Sequence, residues 1–112
     1  MPTVGIVISN YNGWQDTVQC LQSLQKQTFT DFEIILLDDA STNDSVAQLG
    51  AHLPANTVFL PQSQNLGFAA ANNVGIRRAL ADGCDWALLL NNDTVAAPDF
   101  LEIGRASCRE RV

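Results

Sequence analysis

Four short apolar runs, separated by stretches with helical periodicity, constrain the fold of this 112-residue chain more than any other feature. Runs that are apolar throughout are typical of strands buried in a parallel sheet. Strands that alternate with helices over short loops form such a sheet through right-handed crossovers. We therefore predict a single α/β domain with helices on both faces of a mostly parallel sheet, whose strands are residues 4–8, 32–37, 57–60 and 86–90.

Helical periodicity fills the intervals between these strands. The first predicted helix starts at Trp14, with Asp16 in its first turn and Lys26 in its last, an arrangement that suits the helix dipole. The other predicted helices cover residues 46–50 and 69–81, and a fourth starts near Pro98.

Polar side chains follow three of the four predicted strands. Residues 9–13 follow the first strand, Asp38 and Asp39 follow the second, and Asp93 closes an Asn-Asn-Asp sequence after the fourth. The carboxyl ends of parallel strands lie at one edge of a sheet, where open α/β sheets bind ligands, so we expect these groups to meet there. Strand alternation should send Asp38 and Asp39 to opposite sides, so that at most one of them meets a ligand directly.

Asp93 is the candidate metal ligand. It follows Asn91 and Asn92 and has no basic neighbour, and a lone carboxylate of this kind suits Mg²⁺ or Mn²⁺, which take oxygen ligands and share them with phosphate. The strand before it is expected to be buried on both faces. The alternative, which this stretch by itself favours, is that Asn92 and Asp93 form a polar turn and cap the helix near Pro98.

The third predicted helix begins with small residues that would let a backbone or a ligand approach closely. Asn72 and Asn73 follow them, although asparagine is a poor helix former. Asn72 is therefore a candidate ligand contact, and a solvated helix residue is an equally good interpretation.

Charge and composition exclude several classes of function. The formal net charge of −6 argues against a nucleic-acid partner, because phosphate backbones are bound by clustered Lys and Arg. No apolar run approaches the roughly 18 residues of a membrane span, and the first three residues do not begin a signal peptide. The sequence has no Gly-x-Gly-x-x-Gly after the first strand and no Gly-Lys-Ser/Thr, which argues against a dinucleotide fold and a nucleoside triphosphatase.

The three cysteines are widely spaced and odd in number, which fits a reducing cytoplasm rather than a disulfide framework. Cys20 and Cys84 are expected to be small core residues, and Cys108 falls in the C-terminal tail. Residues 104–112 hold three of the six Lys and Arg residues and have no regular periodicity. That tail resembles translated adapter or vector sequence, so we place the native domain at residues 1–103. An ordinary basic helix end is the alternative.

A series of short motifs carries a resemblance to a known family. The motifs are Ser-Asn-Tyr-Asn at residues 9–12, Ser-Leu-Gln-Lys-Gln-Thr at 23–28, Asp-Phe-Glu-Ile at 31–34, Asp-Asp-Ala-Ser-Thr at 38–42, Asn-Leu-Gly-Phe at 65–68 and Leu-Asn-Asn-Asp at 90–93. In this order and spacing they resemble the N-terminal half of family 2 glycosyltransferases. The Asn-x-Gly-Phe and Asn-Asn-Asp forms are most similar to the bacterial branch that includes rhamnosyl- and galactofuranosyltransferases.

The resemblance implies a GT-A fold and an activity. A family 2 enzyme transfers a sugar from a nucleotide-diphosphate sugar to an acceptor hydroxyl, with Mn²⁺ or Mg²⁺ as cofactor. The branch implies cell-surface polysaccharide synthesis, a glycan or lipid-linked acceptor, and a location in the cytoplasm or at the inner face of the cell membrane.

The resemblance also implies roles for individual residues. Asp93 matches the last acid of the family's Asp-x-Asp motif, which holds the metal, although amides replace the earlier acids here and metal binding could rest more on the diphosphate. The implied nucleotide-binding residues are Ser9, Asn10 and Tyr11 beside the base, Asp39 on base or ribose, and Asn65, Gly67, Asn72 and Asn92 along the pocket.

The catalytic base of an inverting transferase is expected beyond this chain. Beyond the Asn-Asn-Asp sequence, the predicted native domain has only Asp99 and Glu102 as acids, and both follow the fourth strand too soon for that role. The chain is therefore interpreted as a donor-binding half that is inactive alone. Two rival classes are a phosphorylation-type receiver domain, which expects acids after its first and third strands and a Lys after its fifth, and a nucleotidyltransferase, which expects a basic glycine-rich loop after its first strand.

Overall fold

The computed structural model describes residues 3–101. Four strands, β1 (Val4–Asn10), β2 (Phe32–Asp38), β3 (Thr57–Pro61) and β4 (Trp86–Leu90), pair in parallel in the order β3-β2-β1-β4. Three helices connect them: α1 (Trp14–Leu24), α2 (Ser45–Gly50) and α3 (Phe68–Ala81). The predicted alternation of strands and helices around a parallel sheet is confirmed in this part of the chain.

Side chains that alternate along β1 divide the core into two layers. Ile6 and Ile8 pack on the side of α1, where Cys20 lies, whereas Val7 packs on the side of α3, where Cys84 lies. All five side chains are buried and both cysteines are free thiols. The prediction that the two cysteines are core residues is confirmed.

Gly75 sets the distance between α3 and the sheet. A Cβ atom at this position would collide with the side chain of Val7 in β1 and would lie 2.9 Å from a methyl group of Leu37 in β2. Because no side chain intervenes, α3 packs directly on the two central strands. The small residues of this helix therefore bring its first turns close to the carboxyl ends of β1 and β2.

The expectation that β4 is buried on both faces is wrong in the described part of the chain. Leu89 is 51% exposed, and the other residues of the strand are only partly buried. The reason is position, since β4 lies at an edge of the sheet and pairs with β1 alone among the described strands.

Several predicted boundaries also shift. β1 and β2 extend to Asn10 and Asp38, because these two residues are still paired across the sheet. α1 ends at Leu24, so the prediction that Lys26 lies in its last turn is wrong. The backbone after Leu24 forms hydrogen bonds of the 3₁₀ type, between residues three apart, and the amide of Lys26 donates to the carbonyl oxygen of Ser23.

Helical backbone near Pro98 begins at Phe100 and continues to Leu101, where the described residues end. Glu102, Cys108 and the tail at 104–112 lie outside them, so the predicted domain boundary and the interpretation of the tail stay predictions. Within residues 3–101, no helix has the length and apolar character needed to cross a membrane.

Candidate functional site

Polar residues gather at the carboxyl edge of the sheet. Asn10 at the end of β1 is paired with Asp38 at the end of β2, and Leu90 at the end of β4 is paired with Ile8 on the other side of β1. The loops that follow these three strands therefore emerge side by side. The predicted meeting of these loops at one edge is confirmed by this register.

Asp38 holds the loops together from inside the protein. Its side chain is fully buried and accepts hydrogen bonds from Asn10 Nδ2 at 2.9 Å, from the Ser41 amide at 2.9 Å and from Ser41 Oγ at 2.6 Å. Asn10 is also fully buried, and its Oδ1 accepts from Thr17 Oγ1 at 2.7 Å. Both amide atoms of Asn10 are thus committed to neighbours within the protein.

The loop after β1 is tied to the loop after β2 through Asn12. Asn12 Oδ1 accepts a hydrogen bond from the Thr42 amide at 2.8 Å, and Asn43 Nδ2 donates to the Asn12 carbonyl oxygen at 3.0 Å. Asn12 has a φ of 57°, a left-handed conformation that asparagine adopts more readily than most residues. The two loops therefore form one connected rim beside the strand ends.

Asp39 fixes the turn that enters α3. The side chain is 4% exposed, and its Oδ1 accepts from the Leu66 amide at 2.7 Å while its Oδ2 accepts from the Gly67 amide at 3.0 Å. Asn65 Nδ2 donates to the Asp39 carbonyl oxygen at 3.1 Å, and Asn65 Oδ1 accepts from the Gly67 amide at 3.0 Å. The predicted site residues Asp39, Asn65 and Gly67 are thus brought together.

Gly67 needs to be glycine for a reason of backbone geometry. Its φ is 87°, in the region that side chains other than glycine rarely adopt. This conformation turns the chain from the loop into α3 and presents the Gly67 amide to Asp39. The Asn-x-Gly part of the motif therefore shapes the edge of the site.

The adjacent acids Asp38 and Asp39 differ in what they hold. Asp38 accepts a hydrogen bond from the Ser41 amide in the loop after β2, whereas Asp39 accepts one from the Leu66 amide in the turn before α3. This agrees with the expectation that strand alternation sends them apart. Both are buried, however, and each stabilises a loop.

Three predicted site residues keep polar groups that the described residues do not use. Asn72 is only 6% exposed, far less than a fully solvated helix residue, and its side chain makes no hydrogen bond within residues 3–101. Ser9 is half-buried and Tyr11 is 51% exposed, and their hydroxyl groups likewise have no partner among the described residues. These three side chains are available to a ligand.

The segment after β4 forms a turn, as the alternative interpretation expected. The Thr94 amide donates to the Asn91 carbonyl oxygen at 3.1 Å, and Asn92 Nδ2 donates to Thr17 Oγ1 at 3.1 Å. The Asp93 carboxylate is exposed and accepts no hydrogen bond from residues 3–101, so the capping part of that interpretation is wrong within the described chain. Asp93 is free to bind a ligand.

The electrostatics of this corner follow from burial and from Asp93. Burial raises the pKa of the Cys20 thiol to about 11, and the negative charge of Asp93 adds to the rise. Cys20 therefore stays a neutral core thiol beneath the turn.

The donor set at this edge fits a cation shared with phosphate. The described residues contain no group of three or more His, Cys, Asp or Glu side chains that could enclose a metal ion. Of the three acids at or close after the strand ends, Asp38, Asp39 and Asp93, only Asp93 accepts no hydrogen bond within residues 3–101. Mg²⁺ is commonly held by one or two carboxylates together with substrate phosphates. The residues present thus fit a metal that arrives with a diphosphate better than one held by the protein alone.

Positive charge is absent from this edge in the described part of the chain. Lys26 follows the C-terminal end of α1, and Arg77 and Arg78 lie near the end of α3, at the opposite edge of the sheet. Arg78 also pairs with Asp82, with Nε 3.0 Å from a carboxylate oxygen. A cation that accompanies an anionic ligand would supply the positive charge that residues 3–101 lack at this edge.

Sequence reasoning missed Thr17 and Ser23. Both are polar residues on the buried face of α1, and both bond the segment after β4: Thr17 accepts from Asn92, and Ser23 Oγ accepts from the Ala96 amide at 3.0 Å. Their position on the same face as Leu21 and Leu24 was the available clue, because a buried hydroxyl needs a partner.

Comparisons with known proteins agree with this geometry. The family model described as "Glycosyl transferase family 2" matches residues 5–104. An uncharacterized glycosyltransferase of Haemophilus influenzae is 30% identical over 99 residues, which cover 88% of this chain and 32% of that protein.

Two solved structures share the fold. Staphylococcus aureus TarS 1–349 in complex with UDP-GlcNAc superposes with a TM-score of 0.77 at 24% identity, covering 95% of this chain and 30% of the other. The mannosyltransferase PcManGT from Pyrobaculum calidifontis, in complex with GDP-Man and Mn²⁺, gives 0.72 at 19% identity over 82% of this chain and 28% of the other. The expected GT-A fold is confirmed, and this chain spans about a third of the length of these proteins.

Proposed function

The chain belongs to glycosyl transferase family 2, and from that premise we propose that it forms the donor-binding part of an enzyme that transfers a sugar from a nucleotide-diphosphate sugar to an acceptor hydroxyl. One observation carries the proposal. The register of β1, β2 and β4 places Ser9, Asp39 and Asp93 on a single edge, with the loops that follow these strands emerging beside one another.

The nucleoside end of the donor is assigned to the side of β1, β2 and α3. Ser9, Tyr11 and Asn72 have polar groups without partners among the described residues, so they are the candidates for direct contact. Asp39 uses one acceptor position of each oxygen for the amides of Leu66 and Gly67. A carboxylate oxygen accepts more than one hydrogen bond, so Asp39 can still bind base or ribose.

The remaining proposed nucleotide-binding residues shape the pocket. Internal hydrogen bonds occupy the polar groups of Asn10 and Asn65 and the amide of Gly67. Asn92 donates a hydrogen bond to Thr17 through Nδ2, and its Oδ1 accepts none within residues 3–101. That oxygen is therefore available to the nucleotide sugar.

The diphosphate end is assigned to Asp93. Its free carboxylate would hold Mn²⁺ or Mg²⁺ against the diphosphate, as the single acid of a site completed by phosphate oxygens. Such a cation neutralises the charge of a departing diphosphate. The Mn²⁺ complex of the similarly folded PcManGT supports this assignment. Asp93 would position the diphosphate through that cation, and the turn formed by Asn91 and Asn92 sets the position of Asp93.

The acceptor half is assigned to the rest of the full-length protein. Asp99 is exposed and follows β4 closely, so it does not supply the general base in this proposal. The chain covers 32% of the length of the Haemophilus influenzae relative. We therefore expect the catalytic base to come from outside this chain, and we expect the chain alone to bind the donor without turning it over.

The finer assignments rest on the motif forms. The Asn-x-Gly-Phe and Asn-Asn-Asp sequences favour the bacterial branch that includes rhamnosyl- and galactofuranosyltransferases, and with it cell-surface polysaccharide synthesis. Action in the cytoplasm, at the inner face of the cell membrane on a glycan or lipid-linked acceptor, belongs to the same proposal.

The rival classes fit the structure less well. A receiver domain needs a Lys near its acids, whereas Lys26 follows α1 at the opposite edge of the sheet from Asp39. A nucleotidyltransferase needs a basic loop after the first strand, and residues 11–13 contain no basic side chain.

Calorimetry on the full-length protein tests the proposed function. Uridine, thymidine and guanosine diphosphates are titrated with Mn²⁺, each beside its monophosphate. We expect at least one diphosphate to bind more tightly than its monophosphate, because the second phosphate reaches the cation at Asp93. Equal affinities in every pair, or no binding at all, would contradict the assignment of this edge.

A further inference from the structure

Thr17 joins the two halves of the proposed site. This fully buried residue in the first turns of α1 donates from Oγ1 to Asn10 Oδ1 at 2.7 Å and accepts from Asn92 Nδ2 at 3.1 Å. Asn10 ends β1 and Asn92 follows β4. One hydroxyl group, acting as donor and acceptor together, therefore links the two strand ends through their side chains.

The hydrogen bonds continue from Asn10 to the loop after β2. Asn10 Nδ2 donates to Asp38 Oδ1 at 2.9 Å, and Asp38 Oδ1 also accepts from Ser41 Oγ at 2.6 Å. A continuous path of side chains thus runs from Asn92, beside the proposed metal ligand, to the loop at the nucleoside end.

Asp93 depends on this path for its position. Its carboxylate has no hydrogen bond of its own within residues 3–101, so its place is set by the turn around it. That turn is fastened to α1 on both sides of Asp93: Asn92 is bonded to Thr17, and the Ala96 amide is bonded to Ser23 Oγ. A carboxylate held only through its neighbours moves when those neighbours are released.

We propose that Thr17 is a positioning residue that holds the Asp93 turn at a fixed place relative to the nucleoside-binding end of the site. Its hydroxyl acts through Asn92, and it touches neither the nucleotide nor the cation. The inference rests on the proposed function, since it concerns how the diphosphate and the nucleoside are bound at once.

The test compares Thr17→Val with Thr17→Ser in the full-length protein. Valine keeps the shape of threonine and removes the hydroxyl, whereas serine keeps the hydroxyl. The readout is the ratio of nucleoside diphosphate affinity in Mn²⁺ to that in a chelator, measured by calorimetry. We expect Thr17→Val to lower this ratio about fivefold, the size of one hydrogen bond, while the affinity in the chelator changes little. Thr17→Ser should retain most of the ratio.

Thr17→Ala removes the same hydroxyl and replaces Thr17→Val if that variant does not fold. Asn92→Ala breaks the bond from the half-buried turn, together with the 3.5 Å contact of Asn92 Nδ2 to the Gly13 carbonyl oxygen and the Oδ1 atom proposed to meet the sugar donor. Because Asn92→Ala already removes the link to Thr17, adding Thr17→Val to it should lower the ratio no further. Gln22→Ala, at an exposed position of α1, is the matched control and should leave the ratio unchanged.

The possible failures are distinguishable. A parent protein with no Mn²⁺ dependence would overturn the proposed metal site and this inference together. A parent that depends on Mn²⁺ while Thr17→Val keeps the full ratio would overturn the inference alone. An equal loss of affinity with and without the metal would show a general structural role and would also overturn it.

Discussion

Asn10 and Asp38 stand opposite each other at the paired ends of β1 and β2, and Asn10 Nδ2 donates to Asp38 Oδ1 at 2.9 Å with both side chains fully buried. Asp38 also accepts two hydrogen bonds from Ser41. All three hydrogen bonds that this carboxylate makes within residues 3–101 are thus accepted from donors. Asp38 therefore holds the end of β1 and the loop after β2 together. Asp39 instead binds the turn before α3.

Asp38→Asn should destabilise the fold. The new amide group places a donor against the donors of Asn10 and Ser41, which leaves a buried polar group unsatisfied at a cost of about 1–3 kcal/mol. Denaturation in urea without nucleotide measures the change in the free energy of unfolding. Asp44→Asn, at an exposed position whose side chain does not cap α2, should have almost no effect. Equal stability of the two variants would contradict the role of Asp38.

Asp39→Ala should weaken nucleotide binding. The change removes the acceptor for the amides of Leu66 and Gly67 together with the proposed contact to base or ribose. A charge-assisted hydrogen bond contributes about 1.5–3 kcal/mol, so we expect the affinity of uridine or thymidine diphosphate to fall about tenfold or more. Calorimetry with Asp44→Ala as the control checks this. Unchanged affinity would remove Asp39 from the site.

Gly75→Ala should loosen the contact between α3 and the sheet. The added Cβ would meet the side chains of Val7 and Leu37, and overpacking of this kind costs about 1–3 kcal/mol. Gly50→Ala is the matched control, because an added Cβ atom there would meet no other part of the protein within 4 Å. Alanine is the better helix former, so this control should be neutral or slightly stabilising. Thermal unfolding of both variants gives the comparison, and a stable Gly75→Ala protein would contradict the close packing.

Cys20 and Cys84 should resist alkylation in the folded protein at pH 8. Burial raises the pKa of Cys20 from 9.0 to about 11, and burial together with the hydrogen bond to Glu33 raises the pKa of Cys84 to about 12. Both thiols therefore stay protonated, and only the thiolate reacts readily. In a Cys108→Ser background, mass spectrometry after iodoacetamide treatment should show labelling only in denaturant.

The same shifts predict how stability depends on pH. A thiol whose folded pKa exceeds its unfolded value favours the folded state fully below pH 9, and this contribution is lost as the pH rises towards 11 or 12. The free energy of unfolding should therefore fall above pH 9. If the free energy of unfolding falls less above pH 9 in Cys20→Ala than in the parent protein, the difference is due to the Cys20 thiol.

The sequence predicted the alternation of strands and helices because each buried strand is a continuous apolar run. It could not predict that β4 lies at the edge of the sheet, since the apolar run of Trp86–Leu90 does not reveal which neighbours cover it. Leu89 is exposed for that reason.

Placing the polar strand ends at one edge was also possible, because parallel strands have a common direction. The role of Thr17 was not predictable in the same way. Its partner Asn92 is 75 positions away, and their contact depends on how α1 packs against the end of β4. The internal role of Asn10 likewise depends on its register with Asp38.

Asp93 tests the central claim most directly. Nucleoside diphosphate affinity is measured with Mn²⁺ and with a chelator in the parent protein and in Asp93→Asn, and the melting temperature is recorded on the same samples. We expect tighter binding with Mn²⁺ in the parent. We also expect Asp93→Asn to lose that difference, by about tenfold or more, at an unchanged melting temperature. Affinity that does not depend on the metal in the parent protein would contradict the metal site. So would an Asp93→Asn variant that keeps the metal dependence and loses only about 1 kcal/mol of unfolding free energy, as the loss of a helix cap would cause.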